Sequence, residues 1–354
     1  MSDSTLFSTL DLSRGPKWEN RLALAPMTTT QSFDDGTLHD DELNWLAMRA
    51  RGGFGMTMTC AIAVETRGRG YPGQLGAWES FHVPGLARLA NTIKASGSVA
   101  IAQIAHSGPR SLENRVGAID APQEQTHALD DIQLGEVVGN FVMAAQRIEE
   151  AGFDGVELHA AHGFLPAQFL SPEINTRSGR WGGDLEGRSR FIREVLTGIR
   201  NATGKDFQLG LRLSPERFGL RMAEVLHLAE EFMTSGIIDW LDMSLWDVLK
   251  TPEEADFASK PLMVWFADLP RGDAKLGVAG NILGAADAER ALLMGADFVL
   301  IGKAAILAHD FPQQVKRNPQ YSAPDRPVTD QFLRNQGLGP TFIEYMRGFK
   351  GFVV

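Results

Sequence analysis

Residues 154–165 read Asp154-Gly155-Val156-Glu157-Leu158-His159-Ala160-Ala161-His162-Gly163-Phe164-Leu165. The first five form a short apolar run opened by Asp-Gly, the pattern of a strand buried on both faces. Two histidines follow it, three residues apart. Working outward, seven further runs of the same kind appear at 21–25, 55–61, 99–103, 208–213, 239–243, 275–279 and 297–301. Helical patterns fill the intervals. In 135–150, Val137, Val138, Phe141, Val142, Ala145 and Ile148 share one face, and Gly152 follows as a stop signal. Segments 40–51, 84–96, 187–201, 222–235 and 284–294 read alike. Strands alternating with helices predict an α/β fold, a (β/α)8 TIM barrel with long active-site loops. The competing architecture is a doubly wound open sheet. Residues 1–354 are expected to form a single barrel domain, with a core at about 18–312 and a C-terminal extension, 313–354, that is irregular and packs on the barrel.

The bulk numbers exclude some classes of function. The 34 basic and 44 acidic residues give a formal charge of −10, which argues against nucleic-acid partners, whose phosphates need Lys and Arg. The single cysteine, Cys60, leaves no intrachain disulfide and too few thiolates for a cysteine-bound zinc or iron–sulfur centre. It reads as a small buried filler. Residues 1–20 lack the apolar run of a signal peptide, and no run of 18 apolar residues suggests a membrane span. A cytoplasmic location is the expectation. Homo-oligomerisation is left open.

A barrel's active site is built at the C-terminal ends of its strands. The residues expected there are Pro26, Met27 and Thr28 after strand 1, Ala61 after strand 2, and Gln103 at the end of strand 3. His159 and His162 follow strand 4, Arg212 lies in strand 5, and Ser244 and Trp246 follow strand 6. Strands 7 and 8 lead to Gly280-Asn281 and Gly302-Lys303, the loops that commonly hold phosphate in barrels. Arg212 puts a charge in an apolar strand. It would stabilise the negative charge that a flavin gains at N1 and O2 on reduction, or else pair with Glu157 or Asp242. Gln103 matches a flavin's pyrimidine edge in donors and acceptors, and also fits a satisfied core amide. His159 and His162 can both donate to one carbonyl or nitro oxygen. A metal pair is the weaker alternative, because the spacing is not that of HExxH and no third ligand is evident.

These motifs resemble the old yellow enzyme family of FMN-dependent ene-reductases. The matching segments are NRLALAPMTTT (20–30), GRGYPGQLGAW (68–78), AQIAHSG (102–108), DGVELHAAHGFLPAQFLSP (154–172), an Asn175 to Arg188 segment with Trp181-Gly182-Gly183, and the late VAGNI and VLIGK runs. The resemblance implies non-covalent FMN, reduced by NADH or NADPH, and a small electrophilic substrate such as an α,β-unsaturated carbonyl compound. It implies that Ala25, Pro26, Met27, Thr28 and Ala61 line the flavin, that Gln103 and Arg212 meet its pyrimidine ring, and that Gly280, Asn281, Gly302 and Lys303 hold its phosphate. His159 and His162 would bind the substrate's activating oxygen, within a pocket also walled by Phe164, Tyr71 and Trp246. Two positions depart from the family pattern. Phe164 stands where a proton-donating Tyr is common, so another donor is needed. Water or Tyr71 could serve, or the enzyme acts mainly on nitro compounds or quinones, or it is a low-turnover flavin-binding protein. Lys303 stands where Arg is common and keeps the charge without the bidentate fork.

Overall fold

The computed structural model describes residues 5–354; the first four residues of the stretch read above as lacking a signal peptide lie outside the described residues. Eight parallel strands close into a barrel: β1 (Leu22–Leu24), β2 (Met56–Ala63), β3 (Val99–Ala105), β4 (Gly155–Ala160), β5 (Gln208–Leu213), β6 (Trp240–Ser244), β7 (Lys275–Ala279) and β8 (Phe298–Ile301). Each pairs with its neighbours in sequence, and β8 closes on β1 through Leu22–Val299, Ala23–Leu300 and Leu24–Ile301. All eight expected strands are present, and the open sheet is excluded. The strands are buried on both faces because helices cover the outside and side chains fill the inside, which is why they read as continuous apolar runs.

Side-chain alternation decides what enters the barrel. Met56, Met58, Val99, Ile101, Trp240, Phe298 and Leu300 form an inner apolar cluster. Trp18 plugs this end, its ring edge-on to Phe298 at 4.8 Å and to Trp240 at 5.7 Å. Two glycines make the room. A Cβ at Gly210 would lie 2.0 Å from the Trp240 ring, and one at Gly277 would lie 2.3 Å from the Phe298 ring. The same alternation brings Gln103 and its register partner Glu157 into the interior, and next along the strands His159, Arg212 and Asp242, which are register partners in turn.

The outer helices follow their capping chemistry. The helix Asp131–Glu150 starts at Asp130, whose carboxylate accepts the Gln133 N–H, and stops before Gly152, whose φ of 86° is left-handed. It packs on the later helix Leu185–Ala202 through Phe141 and Phe191, 6.1 Å apart. The helix before β7, Leu262–Ala267, is only six residues long, too short for its period to show in the sequence.

The C-terminal extension departs from expectation. It packs on the barrel, but it is not irregular throughout. Short helices form at Phe311–Arg317, Asp330–Asn335 and Pro340–Arg347. They are held to helix α1 (Asp40–Arg51) and the loop before it by particular contacts. The Arg49 guanidinium donates to the Gln336 carbonyl at 2.7 Å, Gly339 N–H donates to Gln31 Oε1 at 2.7 Å, and Trp45 meets Phe342 edge-on at 4.9 Å. Among the described residues, no helix is long and apolar enough to cross a membrane.

Candidate active site

A cavity of about 640 Å³ opens at the C-terminal ends of the strands. Ala25, Pro26, Met27, Thr28, Arg212, Trp246, Gly280, Asn281, Gly302 and Lys303 line it, so ten positions scattered over the sequence meet at one surface. His159, His162, Phe164, Gln103, Ala61 and Tyr71 do not line that cavity. The two histidines and Phe164 join it through a chain of contacts. Ser244, on the cavity wall, is 2.8 Å from His162 Nε2 and 3.4 Å from Arg212 Nη2. His162 Nδ1 lies 3.3 Å from His159 Nε2, and the Phe164 ring lies 4.5 Å from the His159 ring. Tyr71 reaches the Ala61 carbonyl with its hydroxyl at 3.4 Å.

The sharp turn after β4 sets the histidine pair. His162 (φ 60°) and Gly163 (φ 71°) are both left-handed, and Ser214 Oγ accepts the His162 N–H at 3.0 Å. Trp246 (φ 61°) and Asn281 (φ 51°) share this sparsely populated conformation, so three non-glycine residues at the mouth carry backbone strain. Burial holds both imidazoles neutral. It pushes His162 down to about 3, with Arg212 and Arg110 adding to the effect. It pushes His159 well below the usual range, and His162, Arg212 and Arg110 act in the same direction. Arg110 is exposed, stands over the Phe218 ring at 5.4 Å and near Phe164 at 6.0 Å, and has no carboxylate within ion-pair distance among the described residues.

Of the two readings of Arg212, the structure shows the carboxylate pair. Its Nε lies 3.2 Å from Asp242 Oδ2, an ion pair in a buried setting, and the residue also lines the cavity. The contact is close but not aligned as a hydrogen bond, leaving Nε and both Asp242 oxygens without a directional partner. Burial pushes the Asp242 carboxyl up to about 6 despite Arg212. Glu157 is pushed up to about 8 by burial and by Asp242, although Gln103 Nε2 donates to it at 2.9 Å and Trp240 Nε1 at 2.8 Å. The amide nitrogen of Gln103 is therefore engaged in the core.

The cavity fits a flavin phosphate ester. A Cβ at Gly302 would meet nothing closer than 3.9 Å, so the glycine leaves open space in the wall. Lys303, Arg326 and Lys350 line the cavity, and none has a carboxylate within ion-pair distance among the described residues. The Asn281 amide donates one N–H to Asp247 Oδ2 at 3.1 Å, which orients the exposed side chain at the cavity wall. Sequence reasoning missed Arg326 and Lys350, and with them the wall formed by Phe342, Tyr345, Met346 and Phe349. Their return to the mouth is a long-range event with no local signature. Cys60 is buried as expected, and burial together with Glu42 raises its thiol well above the usual range.

The family model for NADH:flavin oxidoreductases and NADH oxidases matches residues 5–321. The chain belongs to this family. It is 32% identical over 327 residues to the probable NADH-dependent flavin oxidoreductase YqiG of Bacillus subtilis (strain 168), covering 88% of this chain and 87% of that one. It is 34% identical over 318 residues to an NADH:acrylate oxidoreductase of Vibrio harveyi, matching 83% of this chain but only 31% of that longer protein. The solved structure of morphinone reductase in complex with tetrahydroNAD superposes with a TM-score of 0.77 at 25% identity, over 94% of each chain. The old yellow enzyme resemblance is borne out. The protein is an NAD(P)H:flavin oxidoreductase with FMN as its cofactor.

Proposed function

We propose that this flavin oxidoreductase reduces activated alkenes, in particular small α,β-unsaturated carbonyl compounds. The observation that carries the reading is a neutral histidine pair, His159 buried and His162 half-buried, in contact with the wall of a cavity fitted to the cofactor. Bound FMN would supply hydride transfer between NAD(P)H and the alkene. The protein's part is binding and orientation. Ala25, Pro26, Met27, Thr28 and Ala61 would line the ring, Arg212 and the carbonyl end of Gln103 would meet its pyrimidine edge, and Gly280, Asn281, Gly302 and Lys303 would hold the phosphate. His159 and His162 bind the substrate's activating oxygen, and Phe164, Tyr71 and Trp246 bound the substrate. Neutral imidazoles suit this role, since each donates one N–H without introducing a buried charge.

The test is an anaerobic titration of the holoenzyme with NADPH and then cyclohexenone. Bleaching of the visible flavin bands followed by their recovery is expected. Bleaching without recovery, with reoxidation by a quinone or nitroaromatic instead, would overturn the alkene reading in favour of the second one. That second reading has a specific observation behind it. The half-buried Phe164 ring packs against His159 at 4.5 Å and offers no acidic proton. Phe164→Tyr is expected to accelerate reoxidation of the reduced enzyme by cyclohexenone by about 10²-fold, at the low end of general acid catalysis. Reoxidation by a quinone should not change. Stopped-flow traces with both oxidants decide it, and equal acceleration with both would exclude a proton-donor effect.

A further inference from the structure

As the chain arranges them, the two imidazoles satisfy each other. Ala161 N–H donates to His159 Nδ1 at 3.2 Å, which places the His159 proton on Nε2. That proton faces His162 Nδ1 at 3.3 Å. His162 must then carry its own proton on Nε2, where it donates to Ser244 Oγ at 2.8 Å. In this state neither ring has an N–H left for a ligand. A substrate oxygen that takes two hydrogen bonds needs His159 Nε2–H and His162 Nδ1–H together. His162 is neutral and holds a single proton, so Nε2 must give its proton up as Nδ1 gains one.

The group at Nε2 decides whether that exchange is cheap. A bare Nε2 would become a buried, unsatisfied acceptor, which is unfavourable. Ser244 avoids this, because a hydroxyl can either accept or donate. Its second neighbour is Arg212 Nη2 at 3.4 Å, and a guanidinium only donates. With a lone pair turned to Arg212, the hydroxyl proton can be aimed at His162 Nε2. Ser244 is itself buried at 8% exposure and lies on the cavity wall, so it is fixed between the cofactor-facing arginine and the histidine.

We propose that Ser244 is a positioning residue that switches the tautomer of His162 when an electrophile binds, accepting the Nε2 proton's hydrogen bond in the free enzyme and donating to Nε2 in the complex. One proton leaves Nε2 and one is taken up at Nδ1 by exchange with solvent, so the proton count and the charge of the site do not change. The proposal rests on the reading that the histidine pair binds the substrate's oxygen. It adds that Arg212, Ser244 and His162 act in series, linking the flavin-facing cation to the group that polarises the substrate.

The experiment uses the FMN holoenzyme labelled with ¹⁵N-histidine and, as the probe, 4-hydroxybenzaldehyde, whose phenolate oxygen offers an acceptor to both imidazoles. The ¹⁵N shifts of His162 should report Nε2–H in the free enzyme and Nδ1–H in the complex. Ser244→Ala should weaken probe binding about tenfold, the value of one hydrogen bond at the upper end of its range, while Ser244→Thr restores it. A purely structural role for Ser244 would not move the tautomer. An unchanged Nε2–H tautomer in the complex, or probe binding by Ser244→Ala equal to that of the unsubstituted enzyme, overturns the proposal and leaves the histidine reading intact. If the double variant His159→Ala/His162→Ala binds the probe normally, reading and proposal fall together. The spectra of the unsubstituted enzyme decide the matter even if Ser244→Ala does not retain FMN.

Discussion

The double variant His159→Ala/His162→Ala is expected to lose phenol binding to the oxidised holoenzyme and to reduce cyclohexenone more slowly by about 10³-fold. Removing one preorganised donor from an oxyanion site typically lowers kcat by about 10²–10³-fold. Two donors acting on one oxygen should bring the combined loss to at least the upper figure. The effect should be confined to one half of the cycle. His159 and His162 do not line the cofactor cavity themselves, so FMN binding and flavin reduction by NADPH should persist. Single variants should be partly active, because either ring can still donate once its partner is gone. The check is a visible titration with 4-hydroxybenzaldehyde beside stopped-flow reoxidation. A normal spectral perturbation in the double variant would show that the oxygen site lies elsewhere.

Arg212→Met is expected to cost about 3–5 kcal/mol of stability, the usual result of leaving a buried charge without its partner. Arg212 Nε is 3.2 Å from Asp242, whose side chain is fully buried and has no hydrogen-bond partner to hold its charge. Met fills similar space but cannot offset the carboxylate. The loss should depend on pH in a stated direction. In the unsubstituted protein the folded Asp242 carboxyl titrates at about 6, above its ordinary value of 3.8, because burial outweighs the arginine. Without the cation it should rise further. A carboxyl whose pKa is raised on folding contributes stability below its unfolded value, and that stability is lost as pH rises through the folded value. The variant should therefore be closest to the unsubstituted protein at pH 4–5 and furthest from it at pH 8. Asp242→Asn added to Arg212→Met should recover much of the loss, since the neutral amide needs no counter-charge. Thermal melts at saturating FMN across this range test it. A pH-independent deficit would mean that the ion pair is not its cause.

The barrel and most of its site were legible because buried parallel strands leave a one-dimensional signature. Eight apolar runs, most of them bounded by turn residues, marked eight strands, and their C-terminal ends marked the cavity wall from Ala25 to Lys303. Helices with three or more turns were legible by their period, whereas the six-residue helix Leu262–Ala267 was not. What escaped was long-range. Residues 340–352 fold back over the mouth and add Tyr345, Phe349 and Lys350 to the cavity, and nothing in their local pattern says where they land.

The sequence by itself determined the strand order, the family, the cofactor class and the presence of two histidines at the end of β4, since each depends on residue type at a fixed spacing along the chain. The tertiary structure alone decided how those residues are paired. It gave Arg212 to Asp242 and Gln103 to Glu157, where the sequence left either choice open. It also joined the two histidines to each other and to Ser244. Pairing depends on which side chains the closed barrel turns inward at the same height, and on how far burial shifts their protons, and neither quantity exists until the chain has closed on itself.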